Sequence, residues 1–319
     1  MSNILLETKD LRVCFKSDAS VVRAADGVSF QVERGKVLGI VGESGSGKSV
    51  TSLSVMRLIP KPNGYIEGGQ ILFHGEDLLR KSEKEMRRIR GNKIAMIFQE
   101  PMSSLNPVFK IGEQLGEALK LHQGISGKEN RRRCMEMLEL VRIADPKKML
   151  DRYPHELSGG MRQRVMIAMA ILCDPELMIA DEPTTALDVT IQAQILQLLR
   201  DLQKKREMSI MFITHDLGVI AEIADRVAVM YAGRIVEEAE VSTLLRSPLH
   251  PYTRGLLNSM PVLGQKSDMQ PSAQNMPQGC SFAPRCAYAC SECGRAVPEL
   301  VEIQPGHTVR CILGGKGGM

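Results

Sequence analysis

Tryptophan is absent from this 319-residue chain, and with seven Phe and five Tyr the aromatic fraction is only 4%. A lone aromatic beside a candidate site therefore stands out. Long apolar runs are missing too. The longest clean one, Val165 to Cys173, has nine residues, whereas a helix that spans a bilayer needs about 20, so a membrane-crossing chain is not expected. The N-terminus, MSNILLETKD, shows no basic segment followed by an apolar stretch and a cleavage site. An exported fold held by disulfides is accordingly not expected, and the eight cysteines read as thiols. There is no excess of one charge either: 41 basic residues face 37 acidic ones, leaving +4, too balanced to argue for nucleic acid. What remains is a globular composition, 43% hydrophobic and 24% charged, in a chain long enough for a sizeable core and for two or three units.

What is present is organised around Gly42, Glu43, Ser44, Gly45, Ser46, Gly47, Lys48 and Ser49, between the apolar run Val37 to Val41 and a helical pattern. The glycines let the backbone curl so that successive N–H groups face phosphate oxygens, and a helix starting at Lys48 adds its positive dipole end. Lys48 then reaches the β and γ phosphates, and the Ser49 hydroxyl binds Mg²⁺.

Upstream, residues 3–40 alternate strand-like pieces (Leu5 to Phe15, Val21 to Ala25, Val28 to Val32) with turns at Asp26–Gly27 and Arg34–Gly35, which predicts an antiparallel lead-in sheet. Phe15 either packs in that sheet or stacks on a nucleotide base. Downstream, Val50 to Ile59 reads as a short helix ended by Pro60, residues 66–78 as a hairpin, and Lys81 to Arg90 as a solvated helix face. Lys93 to Phe98 is a buried strand ending at Gln99, whose amide can coordinate Mg²⁺ or position water at the carboxyl edge of an α/β sheet. Residues 110–150 carry helical periods, Ile111, Leu115, Leu119 and then Met135, Leu138, Val141, and read as an inserted helical subdomain.

Ser158 is an N-cap before Gly159 and Gly160, which leave helix N–H groups open as a second anion site. Leu177 to Ala180 is an apolar strand ending in Asp181 and Glu182, whose side chains point to opposite faces. Asp181 suits the Mg²⁺ shell and Glu182 a general base that takes a proton from water. Asp188 follows in the turn Ala186–Leu187–Asp188. Met208 to Thr214 is another buried strand, ending at His215, which can hydrogen-bond a γ phosphate.

Taken together, GESGSGKS, Gln99, LSGGMRQR, LMIADE, Ala186–Leu187–Asp188 and His215 resemble, in content and order, the ATPase subunits of ABC transporters over about residues 3–240. The resemblance implies an α/β fold: a P-loop NTPase core with an antiparallel lead-in sheet, an α-helical subdomain inserted at about 100–160 and, over 241–319, a small Cys-rich C-terminal extension after the 1–240 nucleotide-binding domain. By motif match, Gly42 to Ser49 resembles the Walker A loop, Gln99 the Q-loop, Ser158, Gly159 and Gly160 the signature, and Asp181 the Walker B aspartate. Glu182 resembles the catalytic base, Asp188 the D-loop residue, His215 the switch histidine and Phe15 the adenine-stacking aromatic. Because such ATPases dimerise head to tail, Ser158 and Gly160 would serve the partner's nucleotide.

SPLHPYTRGLL at 247–257 and NMPQGCSFAPRC at 275–286 resemble the dipeptide/oligopeptide importer group, with nickel and some sugar importers sharing much of the pattern. That implies ATP and Mg²⁺ as cofactors and a peripheral place at the cytoplasmic face of the inner membrane. The implied partners are two transmembrane permease subunits, a second ATPase that is a paralogue, and an extracytoplasmic peptide-binding protein, with no direct nucleic acid. An ABC-type ATPase acting on ribosomes or DNA is the rival of another class, but it usually carries two cassettes or a coiled-coil insertion, and no heptad array is seen.

Residues 261–277 are polar and Pro-rich and read as a linker. Beyond it, Cys280, Cys286, Cys293 and Cys311 are separated by five, six and seventeen residues, and Cys290 is a fifth candidate. Four-thiolate zinc sites usually show two tight pairs, so zinc fits less well than an iron–sulfur cluster. Similar tails in the resembled group carry a [4Fe-4S] cluster on such spacing. Cys290 is either a bystander or a replacement for Cys293. The CX3CX2C spacing of Cys286, Cys290 and Cys293 also matches radical enzymes that cleave S-adenosylmethionine, but those need a barrel after the motif and only 26 residues follow. Cys14, Cys134 and Cys173 read as small core residues.

Overall fold

A computed structural model of the chain describes residues 3–17, 20–99, 104–185, 187–258 and 278–314. In order, its strands are β1 (Ile4–Lys16), β2 (Val21–Glu33), β3 (Val37–Val41), β4 (Gly64–Phe73), β5 (Glu76–Asp77), β6 (Ile94–Ile97), β7 (Leu177–Asp181), β8 (Ser209–Thr214), β9 (Arg226–Tyr231), β10 (Arg234–Glu240), β11 (Val301–Gln304) and β12 (His307–Val309). The helices are α1 (Lys48–Val55), α2 (Glu83–Ile89), α3 (Ile111–Gln123), α4 (Gly127–Leu140), α5 (Pro146–Met149), α6 (Gly159–Ile171), α7 (Val189–Arg206), α8 (Leu217–Ile223), α9 (Val241–Arg246) and α10 (Pro251–Asn258). They form two compact units.

The first unit comprises Leu6–Gln31, Val37–Glu76 and the described residues from Thr214 onward. Its lead-in sheet has the order β2-β1-β4-β5, with β1 antiparallel to β4. The expected turn at Asp26–Gly27 does not break β2. Gly27 takes φ +73 opposite the left-handed Asp10 of β1, where the β1–β4 register also shifts, so both strands bend at one level and continue. A second set of strands pairs β3 parallel to β9, β9 antiparallel to β10, β10 to β12 and β12 to β11. All five residues of β3 are buried, the continuous apolar pattern of a parallel strand covered on both faces. Asp225 fixes the start of β3: its carboxylate accepts from Val37 N at 2.8 Å and its N–H donates to Val37 O at 2.9 Å. Helix α1 begins at Lys48 and ends at Val55, short of Pro60, because Arg57 turns left-handed (φ 51) and closes it earlier.

The second unit contains Asp77–Ile213 with Val32–Lys36 and the residues up to Leu5. Its sheet core is β6, β7 and β8, all parallel, registered Ile94 with Leu177 and Leu177 with Ser209. Each residue of β7 and β8 is buried. Between β6 and β7 lie the helices α3, α4 and α5, followed by α6. Helix α3 buries Ile111, Leu115 and Leu119 as the period predicts. In α4 the buried stripe is Cys134, Met137 and Leu138 rather than Met135, which is half-buried one step round the helix. The charged α2 is closed by a Ser82–Glu85 capping box and buries only Met86.

Candidate functional site

In the unit that holds the glycine-rich loop, the chain leaves β3 at Val41 and turns through Gly42 to Gly47 into α1. Gly47 is the N-cap in a left-handed conformation, φ 100, and offers α1 no side-chain cap. No side chain at the N-cap therefore competes with an anion for the helix N-terminus. Two glycines are required by contact. A Cβ on Gly42 would lie 2.2 Å from Met230 O, and one on Gly47 would lie 2.2 Å from Ala24 O. The loop is also tied by Gly233 N donating to Ser46 O at 2.9 Å. Lys48 is buried, and its ammonium donates to Gly42 O at 2.7 Å and Glu43 O at 2.9 Å and lies 3.5 Å from Ser46 Oγ. The cation therefore sits under the loop's own carbonyls, where it can turn to phosphate oxygens. Ser44 and Gly45 are exposed at the crest, and Ser49 is half-buried in the first turn of α1.

Phe15, in β1, is half-buried and paired with Gly64. A Cβ on Gly64 would come within 2.8 Å of Phe15 Cε1, so this glycine makes room for the ring. His215 is exposed immediately after β8, and the next residue, Asp216, caps α8 by accepting from Gly218 N at 2.7 Å.

The loop has two further partners that sequence reasoning did not assign to it. Glu43 N donates to Tyr252 Oη at 2.9 Å, and Arg285 grips the Glu43 carboxylate with two nitrogens, each at 2.8 Å. These residues lie 209 and 242 positions beyond Glu43 in the chain. Tyr252 belongs to the His-Pro-Tyr segment and Arg285 to CSFAPRC, so the only signal was their place in those two motifs.

In the other unit the carboxyl ends of the parallel strands bring Gln99 and Glu182 together. Asp181 closes β7 and is 2% exposed. Glu182 follows in the left-handed region, φ 47, with its N–H on Ile213 O at 2.9 Å. Its Oε2 accepts from Gln99 Nε2 at 3.2 Å and from Thr185 Oγ1 at 2.9 Å. An aligned, half-buried carboxylate beside a neutral amide is suited to hold and orient water. Ser158 caps α6 by accepting from Met161 N, and α6 starts at Gly159. A Cβ on Gly160 would lie 3.1 Å from Ile191 Cγ2, and Asp188 caps α7 by accepting from Ile191 N at 2.9 Å. The two capped turns thus meet, with Ser158, Gly159 and Asp188 exposed. Ala186 lies outside the described residues.

The C-terminal thiols share one neighbourhood. Cys280 N donates to Cys293 O at 2.7 Å, and Cys290 Sγ lies 3.6 Å from Cys293 Sγ. Burial pushes the thiols of Cys286, Cys293 and Cys311 up, and in each case neighbouring cysteines add to the rise, Cys280 among them. The exposed Cys290 is pushed the other way by hydrogen bonds from Cys293. Among the described residues no three His, Cys, Asp or Glu side chains are arranged to hold a metal ion. No described helix is long and apolar enough to cross a membrane.

Comparison with known proteins places these features. The family model described as ABC transporter matches residues 25–185, and that for the oligopeptide/dipeptide transporter C-terminal region matches residues 236–293. The chain is 55% identical to a probable peptide ABC transporter ATP-binding protein of Sinorhizobium fredii, over 97% of this chain and 95% of that one. It is 53% identical to the oligopeptide transport ATP-binding protein OppD of Bacillus subtilis, over 97% and 88%. Among solved structures it is similar to the dimeric post-hydrolysis state of the ATP-binding cassette MJ0796 bound to ADP and Pi. That match has a TM-score of 0.66 and 27% identity, over 74% of this chain and 99% of that one.

Proposed function

This chain belongs to the ABC transporter ATPases that carry the oligopeptide/dipeptide transporter C-terminal region, and from that footing we propose that it hydrolyses ATP to power import of di- and oligopeptides. The observation that carries the peptide assignment is that the likeness to peptide-transport ATPases extends past the cassette into the C-terminal region at 236–293. We assign residues 1–240 to the nucleotide-binding domain, with its helical subdomain at about 100–160, and 241–319 to the transporter-specific extension.

Each residue's part follows from its chemistry. The N–H groups of Gly42 to Ser49 and the Lys48 ammonium bind phosphate, Phe15 stacks on the base, and Ser49, Gln99 and Asp181 are the Mg²⁺ ligands. That ion supplies charge neutralisation on the phosphates. Glu182 takes the proton of the attacking water, and His215 hydrogen-bonds the γ phosphate. Ser158, Gly159, Gly160 and Asp188 complete the nucleotide site of a second ATPase subunit, a paralogue of this chain. Two permease subunits and an extracytoplasmic peptide-binding protein complete an importer, with this chain peripheral on the cytoplasmic face.

For the extension we propose a [4Fe-4S] cluster on Cys280, Cys286, Cys293 and Cys311, with zinc the lesser alternative. Its support is the donor type and spacing in the sequence, soft thiols separated by five, six and seventeen residues, while the described side chains are not themselves arranged to hold a metal ion. Anaerobic purification followed by iron and acid-labile sulfide analysis tests this, and a chain that holds zinc alone refutes it.

The importer itself is tested by purifying the tagged protein from its host in mild detergent and identifying what accompanies it. Two polytopic permeases, a second ATPase and a peptide-binding protein are expected. Ribosomal or DNA-repair proteins without a permease would overturn the transport reading and leave the ATPase chemistry standing.

A further inference from the structure

We propose that Arg285 and Tyr252 are positioning residues for ATP: together they hold Glu43, and with it the first turn of the phosphate loop, so that the C-terminal extension sets nucleotide affinity. The inference rests on the reading of Gly42 to Ser49 as the phosphate site.

Three observations lead to it. The first is the quality of the clasp. Arg285 is 5% exposed and Glu43 25% exposed at their side chains, and both carboxylate oxygens are filled by separate guanidinium nitrogens at 2.8 Å. A bidentate pair with one partner out of water is stronger and more directional than a surface ion pair. The second is how rigidly the guanidinium is carried. Its carbon lies 5.6 Å from the Tyr231 ring centre and 5.7 Å from that of Phe282, and Nη1 also donates to Tyr231 Oη at 3.3 Å. Tyr231, Tyr252 and Phe282 pack on one another with ring centres 4.7–5.5 Å apart. In a chain with twelve Phe and Tyr and no Trp, two of them lie against this one arginine and a third packs on both. The third is the backbone. Tyr252, wholly buried, takes the Glu43 N–H on its hydroxyl at 2.9 Å. That removes the Glu43 N–H from the set the loop can offer an anion and fixes the point from which the loop curls.

The electrostatics give the clasp its purpose. Glu43 places a carboxylate inside a loop whose task is to receive a polyanion, and an uncompensated negative charge there would oppose binding. Arg285 cancels that charge from the side away from solvent. Its own position is set by the cysteine-bearing turn: Ala283 N bonds Cys280 O at 3.0 Å, Cys286 N bonds Ala283 O at 3.2 Å, and Cys280 N bonds Cys293 O. The extension is in this way a structural part of the phosphate site.

The test uses the full-length chain with Mg²⁺ and a fluorescent ATP analogue, alongside ATPase kinetics. Arg285→Ala should raise Kd by between about tenfold and a hundredfold, the range for losing a hydrogen-bonded charged partner, with the loss falling on KM rather than kcat. Adding Glu43→Gln to Arg285→Ala should restore most of the affinity, because the charge needing cancellation is gone. A merely structural role for Arg285 would not be relieved by that second change. Unchanged Kd in folded Arg285→Ala, or no recovery in the folded double variant, overturns the proposal. Should Arg285→Ala not fold, Tyr252→Phe decides: a rise of about tenfold supports the clasp and parental affinity refutes it. Lys48→Ala separates the two readings, since a Lys48→Ala chain that binds ATP like the parent would refute the phosphate-loop assignment itself.

Discussion

Glu182 holds a left-handed backbone at the end of β7, and its carboxylate is oriented by Gln99 and Thr185. A non-glycine residue in that region costs about 1 kcal/mol or more, and such strain is typical of a side chain aimed for chemistry. Glu182→Gln keeps the shape and the two hydrogen bonds but not the proton acceptor. Its kcat should fall by about 10²- to 10⁴-fold while the Kd for ATP stays at the parental value, and a kcat within a few-fold of the parent would rule out Glu182 as the base. His250 gives a prediction of another kind. It is 1% exposed, its Nδ1 accepts from Tyr252 N at 3.0 Å, its backbone N–H donates to the Glu237 carboxylate at 2.9 Å, and its ring lies against Phe282. Burial pushes its pKa from 6.5 down to about 3. The unfolded chain takes up a proton near 6.5 and the folded chain does not, so the stabilisation is complete above about pH 6.5 and is lost as pH falls toward 3. The slope is about 1.4 kcal/mol per pH unit. Denaturant unfolding at pH 7.5 and 5.5 should show the parent losing about 1 kcal/mol more than His250→Gln, and equal losses would contradict a buried neutral imidazole. Glu182 was legible in the sequence because a carboxylate directly after an apolar strand stands at the carboxyl edge of the sheet, where α/β folds hold their ligands. Tyr252 and Arg285 were not legible as phosphate-loop neighbours, because their partner stands more than two hundred residues away and no local pattern encodes such a contact.

At the scale of elements, strand β3, the glycine loop and α1 behave as one device. Gly47 illustrates how little freedom it has. With φ 100 and Ala24 O only 2.2 Å from a would-be Cβ, alanine at this position is excluded twice, by the dihedral and by a backbone atom that no rotamer can move. Gly47→Ala should therefore cost about 2 kcal/mol or more of stability and abolish ATP binding, whereas Gly45→Ala, at φ +79 but with nothing within 4 Å, should cost about 1 kcal/mol. Paired urea denaturation and ATP-binding curves on the two variants check the ranking. The order strand, loop, helix was readable because apolar runs, glycines and a helical period follow one another without interruption. Element ends were less readable. Helix α1 stops before its proline through the left-handed Arg57, and β2 runs through Asp26–Gly27 because β1 bends with it at Asp10. Both outcomes are decided by neighbours, not by the residues at the break.

For the whole molecule, the decisive question is which nucleotide the signature turn serves. Ser158, Gly159 and Asp188 are exposed, α6 and α7 meet at Gly160 and Ile191, and each helix is capped by its own side chain. This is a finished surface whose helix N-termini can receive an anion brought by another molecule. The MJ0796 cassette, bound to ADP and Pi, is described as a dimer. If the turn acts on a partner's nucleotide, association and single-chain affinity must separate. Mixed with the paralogous ATPase and Mg-ATP, the Glu182→Gln chain should double its mass in light scattering, since slowed hydrolysis prolongs the closed state. Adding Ser158→Phe should abolish the doubling and leave the ATP affinity of the single chain intact, because a blocked turn removes an interface without touching the loop that binds first. A Ser158→Phe chain that stays monomeric and also loses ATP affinity would instead place the turn at its own nucleotide, and a chain that still doubles would remove the turn from the interface altogether.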